Sequence, residues 1–437
     1  MAGRYLAGKG AYLLHRLLRQ IWLRASLFSI AAVLTALIAA WAAPFIPDEL
    51  SLTVGGKAVD NILTILASSM LAVTTFALSA AVTAYGSATS TVTPRATQLL
   101  IEDRFTQNAL STFVGTFLFS IVGIIALTTG YYGEKGRVVL FFAAIVIVAI
   151  IAITLLRWIQ HLASFGRVQD TIERVERAAC AAMTAWAEAP RLRGLAAVAV
   201  PDDAVPVFAG HAGADTDADT GYVSHIDMAA LHRAAEQHGV TVHVAVLPGA
   251  FVHAGRRVAA VAGEGAADAV QAVADAFTIA HARDFEQDPR FGLIVLGEIA
   301  SRALSPAVND PGTAIYVLGA GHRVLLALVD TAGDDRAPLA GVHVPSLRTA
   351  DLFDDFFRPI ARDGAAMIEV QLRLQATLGA LAMRSPALFG AEARRLAADA
   401  FARAGAAMQE GDVALLRDAM ADRGAGGGMT PARPVPQ

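Results

Sequence analysis

Charge is scarce in this sequence, and cysteine scarcer. Charged residues fill 17% of the 437 positions and the net charge is −4, whereas a soluble domain carries about a quarter charged residues. No dense basic patch accompanies that balance, so nucleic acid is not an expected partner. Cys180 stands alone, which excludes an intramolecular disulfide framework and fits a reducing compartment around the soluble part. No small-residue cleavage site follows a short apolar core at the start, so no cleavable signal peptide is expected. Enzyme signatures are missing as well: there is no GxxxxGK[ST], GxSxG, zinc signature or kinase set. The expectation is a protein that is not an enzyme and needs no cofactor or metal.

Apolar length is what the chain has in place of charge. Hydrophobic residues make up 55% of it and the mean hydropathy is +0.49, with the excess concentrated before Arg157. Four runs are long enough for a helix across a bilayer core of about 30 Å: Ser26 to Ala43, stopped by Pro44 and Pro47; the stretch from Asn61 to Thr93; Ala109 to Tyr131; and Val138 to Leu156. Loop charges set their orientation through the cytoplasmic excess of Lys and Arg. Arg4, Lys9, Arg16, Arg19 and Arg24 precede the first run, and only Lys57 stands against Asp48, Glu49 and Asp60 in the next loop. Arg95 and Arg104 lie between the second and third, and Arg157, Arg167, Arg174 and Arg177 follow the fourth. Both termini are therefore expected in the cytoplasm. Residues 1–25 read either as an amphipathic helix on an anionic membrane surface or as a basic flank that sets topology.

No span carries a charged residue in its interior, so coupling through an intramembrane carboxylate is not expected. The second run is instead rich in hydroxyls. Ser68, Thr75, Ser79 and Thr83 are seven, four and four residues apart, near one side of a helix, and Ser87 extends the polar end. In the third, Thr112, Thr116 and Ser120 step by four beside Ser111, Gly115 and Gly123. Faces of this kind either pack closely on a neighbouring helix, the commoner use, or line a pore. Thr93-Pro94 then opens TPRATQLLIEDRFTQ, an interfacial helix that is a pore's inner mouth or a solvated anchor.

Beyond the spans, Phe165, Val168, Ile172, Val175, Ala179, Ala182 and Trp186 alternate by three and four. That seam suits packing on the protein's own domain or on a symmetry mate. From about Leu195, AAVAVP, GYVSHI, VTVHVAVL and RRVAAV read as strands, with Asp227 to His238 a helix ending at Gly239. PGAFVHAGRRVAAV is similar to the turn-rich repeat of lipoyl- and biotinyl-carrier modules but has no lysine at a hairpin tip. His225, His232, His238, His243 and His253 fall in this module without metal-ligand spacing and are read as solvated or hydrogen-bonded. The densest polar stretch is Arg283 to Thr313. Pro289 opens a helix in which Glu298 and Arg302 are placed to pair, and Asp310-Pro311 caps the next. Caps and pairs account for these residues; alternatively Asp284, Asp288, Arg290, Glu298, Arg302, Asn309 and Asp310 surround a ligand or ion near the cytoplasmic membrane face. Helices are expected over Ala314 to Val329, Thr349 to Ala382, Ala391 to Ala406 and Asp412 to Asp422, with a VHVP strand before the second.

The expected fold is thus a membrane α-helical part with four transmembrane helices and a cytoplasmic α+β part with a small β-rich module and a helical C-terminal bundle. The segments are 1–25, an amphipathic cytoplasmic lead; 26–157, the spans; 158–190, a connecting helix; 191–265, the β-rich module; 266–423, the helical domain; and 424–437, a Gly/Pro-rich disordered tail. The strings SATSTVTPRATQLLIEDRFTQNALSTFVGTFLFS and QDPRFGLIVLGEIASRALSPAVNDPGTA resemble the two characteristic blocks of a large uncharacterised bacterial family of predicted membrane proteins with a domain of unknown function. Ile294-Val295 and Gly297 stand where that family's second block is expected to be more polar. The resemblance runs over nearly the whole chain and implies a multi-span protein of the bacterial inner membrane; it implies no substrate or reaction. From the residues themselves three functions compete. The first is a homo-oligomeric channel for small inorganic ions, lined by the second span and gated by the cytoplasmic part. The others are a membrane-anchored sensor or scaffold and a membrane-bound enzyme built from scattered residues.

Overall fold

The computed structural model describes residues 56–101, 103–129, 134–162, 165–211, 220–333 and 336–425, with Ser26, Leu27, Ile30, Leu34 and Ile38. The expected helix over 1–25 and residues 426–437 of the expected tail lie outside the described residues, while its first two residues, Gly424 and Ala425, close the last helix. So does most of the first expected span, whose five described residues are helical and exposed. The chain forms two compact units that divide between Thr171 and Ile172.

The first unit holds α1 (Gly56–Thr91), α2 (Pro94–Ile101), α3 (Arg104–Thr128) and α4 (Glu134–Leu162). Thr93-Pro94 separates α1 from α2, as expected of a proline that suits a first helical turn. Asp103 caps α3 by accepting from the Thr106 N–H at 2.8 Å. Three segments here, Ala58–Ser87, Arg104–Thr128 and Arg137–Leu162, are long and apolar enough to cross a membrane. They correspond to the second, third and fourth expected spans. Two buried clusters hold them together, one around Leu63, Phe119 and Leu140, the other around Met70, Phe113, Ile151 and Trp158. Gly123 sits where α1, α3 and α4 meet: a Cβ there would lie 3.0 Å from Leu63 Cδ1 and 3.6 Å from Leu140 Cδ2.

The second unit begins in α5 (Val168–Glu188) and carries two sheets. Strands β1 (Gly194–Ala196), β2 (Val205–Phe208), β4 (Thr241–Val244), β6 (Arg257–Ala262) and β8 (Leu339–Val344) form one, in the order β1-β8-β4-β6-β2. β3 (Thr220–Ile226), β5 (Phe251–His253) and β7 (Phe277–Ala280) form the other, in the order β5-β3-β7. The strands thus come from both sides of residue 265: β7 and β8 complete sheets that the preceding segment starts. Helices α6 (Met228–His238) and α7 (Ala266–Ala274) pack into the same core as Val242, Val244, Val342 and Val344. As its sequence indicates, α6 starts on the Asp227 cap and stops at Gly239, whose φ of 63° suits glycine.

The bundle comprises α8 (Phe291–Ala303), α9 (Pro311–Asp330), α10 (Thr349–Asp363), α11 (Ile368–Arg384), α12 (Pro386–Ala407) and α13 (Glu410–Ala425). The single helix expected from Thr349 to Ala382 is two, broken at Gly364, where a Cβ would lie 2.8 Å from Val370 Cγ1. By length and composition α9 is a fourth helix able to cross a membrane. In this fold its apolar side, including Val317, Leu318, Val324 and Leu325, is buried in the bundle, and its Arg323 holds Glu176 of α5 through two bonds of 2.6 and 2.7 Å. From residue 172 onward, the seam residues Ile172, Val175, Ala179, Ala182 and Trp186 are buried. A Cβ on Gly292 of α8 would stand 2.2 Å from that of Ala179, so α8 covers part of the seam within the same chain.

Candidate functional site

Helix α1 presents two opposite faces. Val59, Leu63, Leu66, Met70, Ala77 and Ala81 recur at three, four or seven residues and are buried. At 100° per residue, Ser68, Thr75 and Ser79 point within about 35° of the reverse direction, with Thr83 and Ser87 turning further round. All five are exposed, so the hydroxyl stripe is not the face on which α1 packs within the first unit. The hydroxyls of Ser68, Thr75 and Thr83 donate to backbone carbonyls one turn back, at 2.9, 3.0 and 2.9 Å. Each keeps its acceptor lone pairs.

The third span differs. Thr116 and Ser120 are buried, and Ser120 donates to the Thr116 carbonyl at 2.9 Å. Thr112 is half-buried and bonded to the Asn108 carbonyl at 2.8 Å. Thr116 and Ser120 belong to the packed interior rather than to a surface shared with the α1 stripe. The outward side of α4 supplies the contrast: Phe142, Ile145, Val146, Ile150, Ile153, Leu156 and Ile159 are exposed there. That is the composition of a helix against acyl chains.

Where α3 begins and α4 ends, Asp103 lies 3.1 Å from His161 Nε2 while it caps α3. The His161 ring packs between Phe105 and Phe165, with centroids 4.8 and 4.9 Å away. Trp158 beside it is 1% exposed, and its indole N–H has no bonding partner. A carboxylate at a helix N-terminus and an imidazole at a C-terminus each oppose the local helix dipole. The sequence reads the segment holding Asp103 as a pore's inner mouth or a solvated anchor and gives His161 no role, because nothing local signals a pairing across 58 positions.

In the second unit, the candidates between 284 and 310 divide into separate tasks. Asp288, 2% exposed, accepts from Arg283 Nε at 2.7 Å and from the backbone N–H groups of Arg290 and Phe291 at 3.0 and 3.2 Å. Burial pushes its carboxyl above the ordinary value, and Arg283 pulls against that. Arg290 grips Asp355 of α10 with two bonds, at 2.7 and 3.1 Å, and reaches Asp351 at 3.3 Å. Asp284 accepts from the Glu286 N–H at 2.8 Å. Glu298 and Arg302 lie on α8, and Asn309 takes a left-handed φ of 50° just before the next helix. Asp310 caps α9 through the Thr313 N–H and hydroxyl, at 3.0 and 2.6 Å, and these bonds hold its carboxyl below the ordinary range.

Of the module's histidines, His232 faces the Ala340 carbonyl at 2.9 Å and Glu236 at 3.5 Å. His225 is buried in β3, His238 closes α6, and His253 is exposed on β5. His243 on β4 stacks on His343 of β8, with centroids 5.2 Å apart and planes 10° apart. His343 donates from Nδ1 to the Ala196 carbonyl at 2.6 Å. Among the described residues no three His, Cys, Asp or Glu side chains converge as metal ligands.

Comparison with known proteins agrees with this organisation. An uncharacterized protein of Mycobacterium tuberculosis and one of Mycobacterium bovis are each 37% identical to the chain over 149 residues. The match covers 31% of this chain and only 27% of each relative. No solved structure matches. The model of one family, described as predicted membrane protein (DUF2254), matches residues 19–380. Long apolar helices, a folded C-terminal part and a match over most of the length agree: the chain is a multi-pass bacterial membrane protein and belongs to the DUF2254 family.

Proposed function

We propose that the protein is an oligomeric inner-membrane channel for small ions, lined by the exposed hydroxyl stripe of α1 and gated by the cytoplasmic unit. One observation carries this reading. Two exposed helix faces in the same unit differ in chemistry: that of α4 is aliphatic and aromatic, while that of α1 sets Ser68, Thr75 and Ser79 among exposed Ile65, Leu71, Phe76, Leu78 and Val82, away from its packing face. Hydroxyl and carbonyl oxygens replace part of an ion's water shell without a fixed charge. The lone pairs left on the back-bonded hydroxyls are available for that. The reading assigns no reaction to the protein.

A scaffold whose spans only anchor it is the second reading. It is favoured by those same back-bonds, which satisfy the hydroxyl protons and so let the face lie against lipid. Reconstituted liposomes separate the two. A channel gives ion flux that falls with Ser79→Phe and changes with Thr75→Val, while Phe142→Ala on α4 leaves it unaltered. Absence of flux across a range of salts and pH ends the channel reading.

A further inference from the structure

Helix α4 carries two unlike stripes. Ala144, Ile151 and Trp158, seven residues apart, are buried in the clusters of the first unit. Val146, Ile150, Ile153 and Arg157 follow one another by four, three and four on the opposite side, and all are exposed. This second stripe is apolar until it ends in a cation.

Arg157 is not a loose surface charge. Its Cζ lies 5.7 Å from the centre of the Phe105 ring in the first turn of α3, a cation–π contact that steadies the guanidinium. Arg104 precedes Phe105 on that turn and is also exposed. Neither arginine makes an ion pair among the described residues. Asp103, next in sequence, is engaged with the Thr106 N–H and His161.

A ligand that satisfies both halves has an anionic head and a hydrocarbon chain. We propose that an anionic phospholipid binds here, its phosphate held by Arg157 and Arg104 and one acyl chain lying along Val146, Ile150 and Ile153. The guanidinium fork matches two phosphate oxygens. At 1.5 Å per residue the stripe is about 16 Å long, close to the roughly 15 Å depth of one leaflet. A free phosphate would satisfy the arginines and leave the apolar stripe without a role.

The test uses the full chain in mixed phosphatidylglycerol and phosphatidylcholine, with retained lipid read by native mass spectrometry. Phosphatidylglycerol is expected to be retained preferentially. A basic side chain near an anionic surface contributes about a fivefold preference, so Arg157→Gln lowers it by about that factor and Arg157→Lys keeps most of it. Ile153→Gln, which leaves the charge and makes the stripe polar, lowers retention as well. Arg373→Gln, exposed in the second unit, leaves it unchanged, and circular dichroism checks that each variant is folded. Equal retention of the two lipids, or a preference that survives Arg104→Gln combined with Arg157→Gln, overturns the proposal. So does displacement of the lipid by inorganic phosphate that chloride at the same ionic strength does not reproduce.

Discussion

Gly249 shows how one residue can be fixed by what lies beside it. Its φ is +89°, and a Cβ would lie 2.1 Å from Asp288 Oδ2 and 2.6 Å from Arg283 Nη2. Its N–H bonds the Val223 carbonyl at 2.8 Å, so the turn cannot simply back away. Pro248-Gly249 is legible in the sequence as a turn; the approach of the Arg283–Asp288 pair is not. Gly249→Ala adds left-handed strain of about 1–2 kcal/mol and crowding of about 1–3 kcal/mol. Thermal unfolding in detergent is expected to show a clear loss of stability, and an unchanged midpoint would disprove the close approach. The histidines give a pH dependence with a definite sign. Burial holds His243 below its ordinary value of 6.5, with stacked His343 adding to the effect; burial and Arg323 do the same for His322. Below about 6.5 the unfolded chain therefore binds more protons at these positions than the folded one, and stability falls as pH drops through that window. His243→Gln and His322→Gln together should flatten the melting-temperature profile below about pH 6.5. An equally steep profile in the double variant would remove these two groups as its cause.

At the scale of elements, local signals are reliable where their partners are near in sequence. Asp227 with Gly239 and Asp310 with Pro311 mark helix ends that the structure places within a residue, because caps act across one turn. The hydroxyl stripe of α1 is likewise legible as a stripe, but periodicity tells which residues share a face and not what that face meets. The 165–186 seam shows the same limit: α8 covers part of it in the chain's own fold. Gly123 on α3 tests the packing of the spans directly. A larger side chain must displace Leu63 and Leu140 together, since they come from two different helices. Gly123→Ile is expected to cost about 1–3 kcal/mol, seen as a lower melting temperature in detergent, while Thr112→Val, half-buried on the same helix, changes little. Equal effects of the two would show that this crossing is looser than the distances imply.

For the whole molecule, the split between an apolar part and a folded remainder is plain from composition, because lipid demands long uncharged helices. The architecture of the remainder is less visible. β8 enters its sheet between β1 and β4 from more than 70 residues beyond β6, and His161 meets Asp103 from another helix; neither pairing leaves a mark on the sequence around it. The division at Thr171/Ile172 still has a consequence that can be measured. Ile172, Val175, Ala179 and Ala182 are buried, and Gly292 of the second unit stands against Ala179, so residues 166–437 already contain a partner for part of their most apolar helix face. Produced alone, that chain is expected to be soluble, to unfold cooperatively, and to sediment as a monomer at concentrations where the channel reading requires the full chain in detergent to be an oligomer. A stable oligomer of 166–437 would move the contact between copies into the second unit and deprive the α1 face of its proposed role. Aggregation instead would mean that the second unit does not bury its own core, and the two-unit division would fail with it.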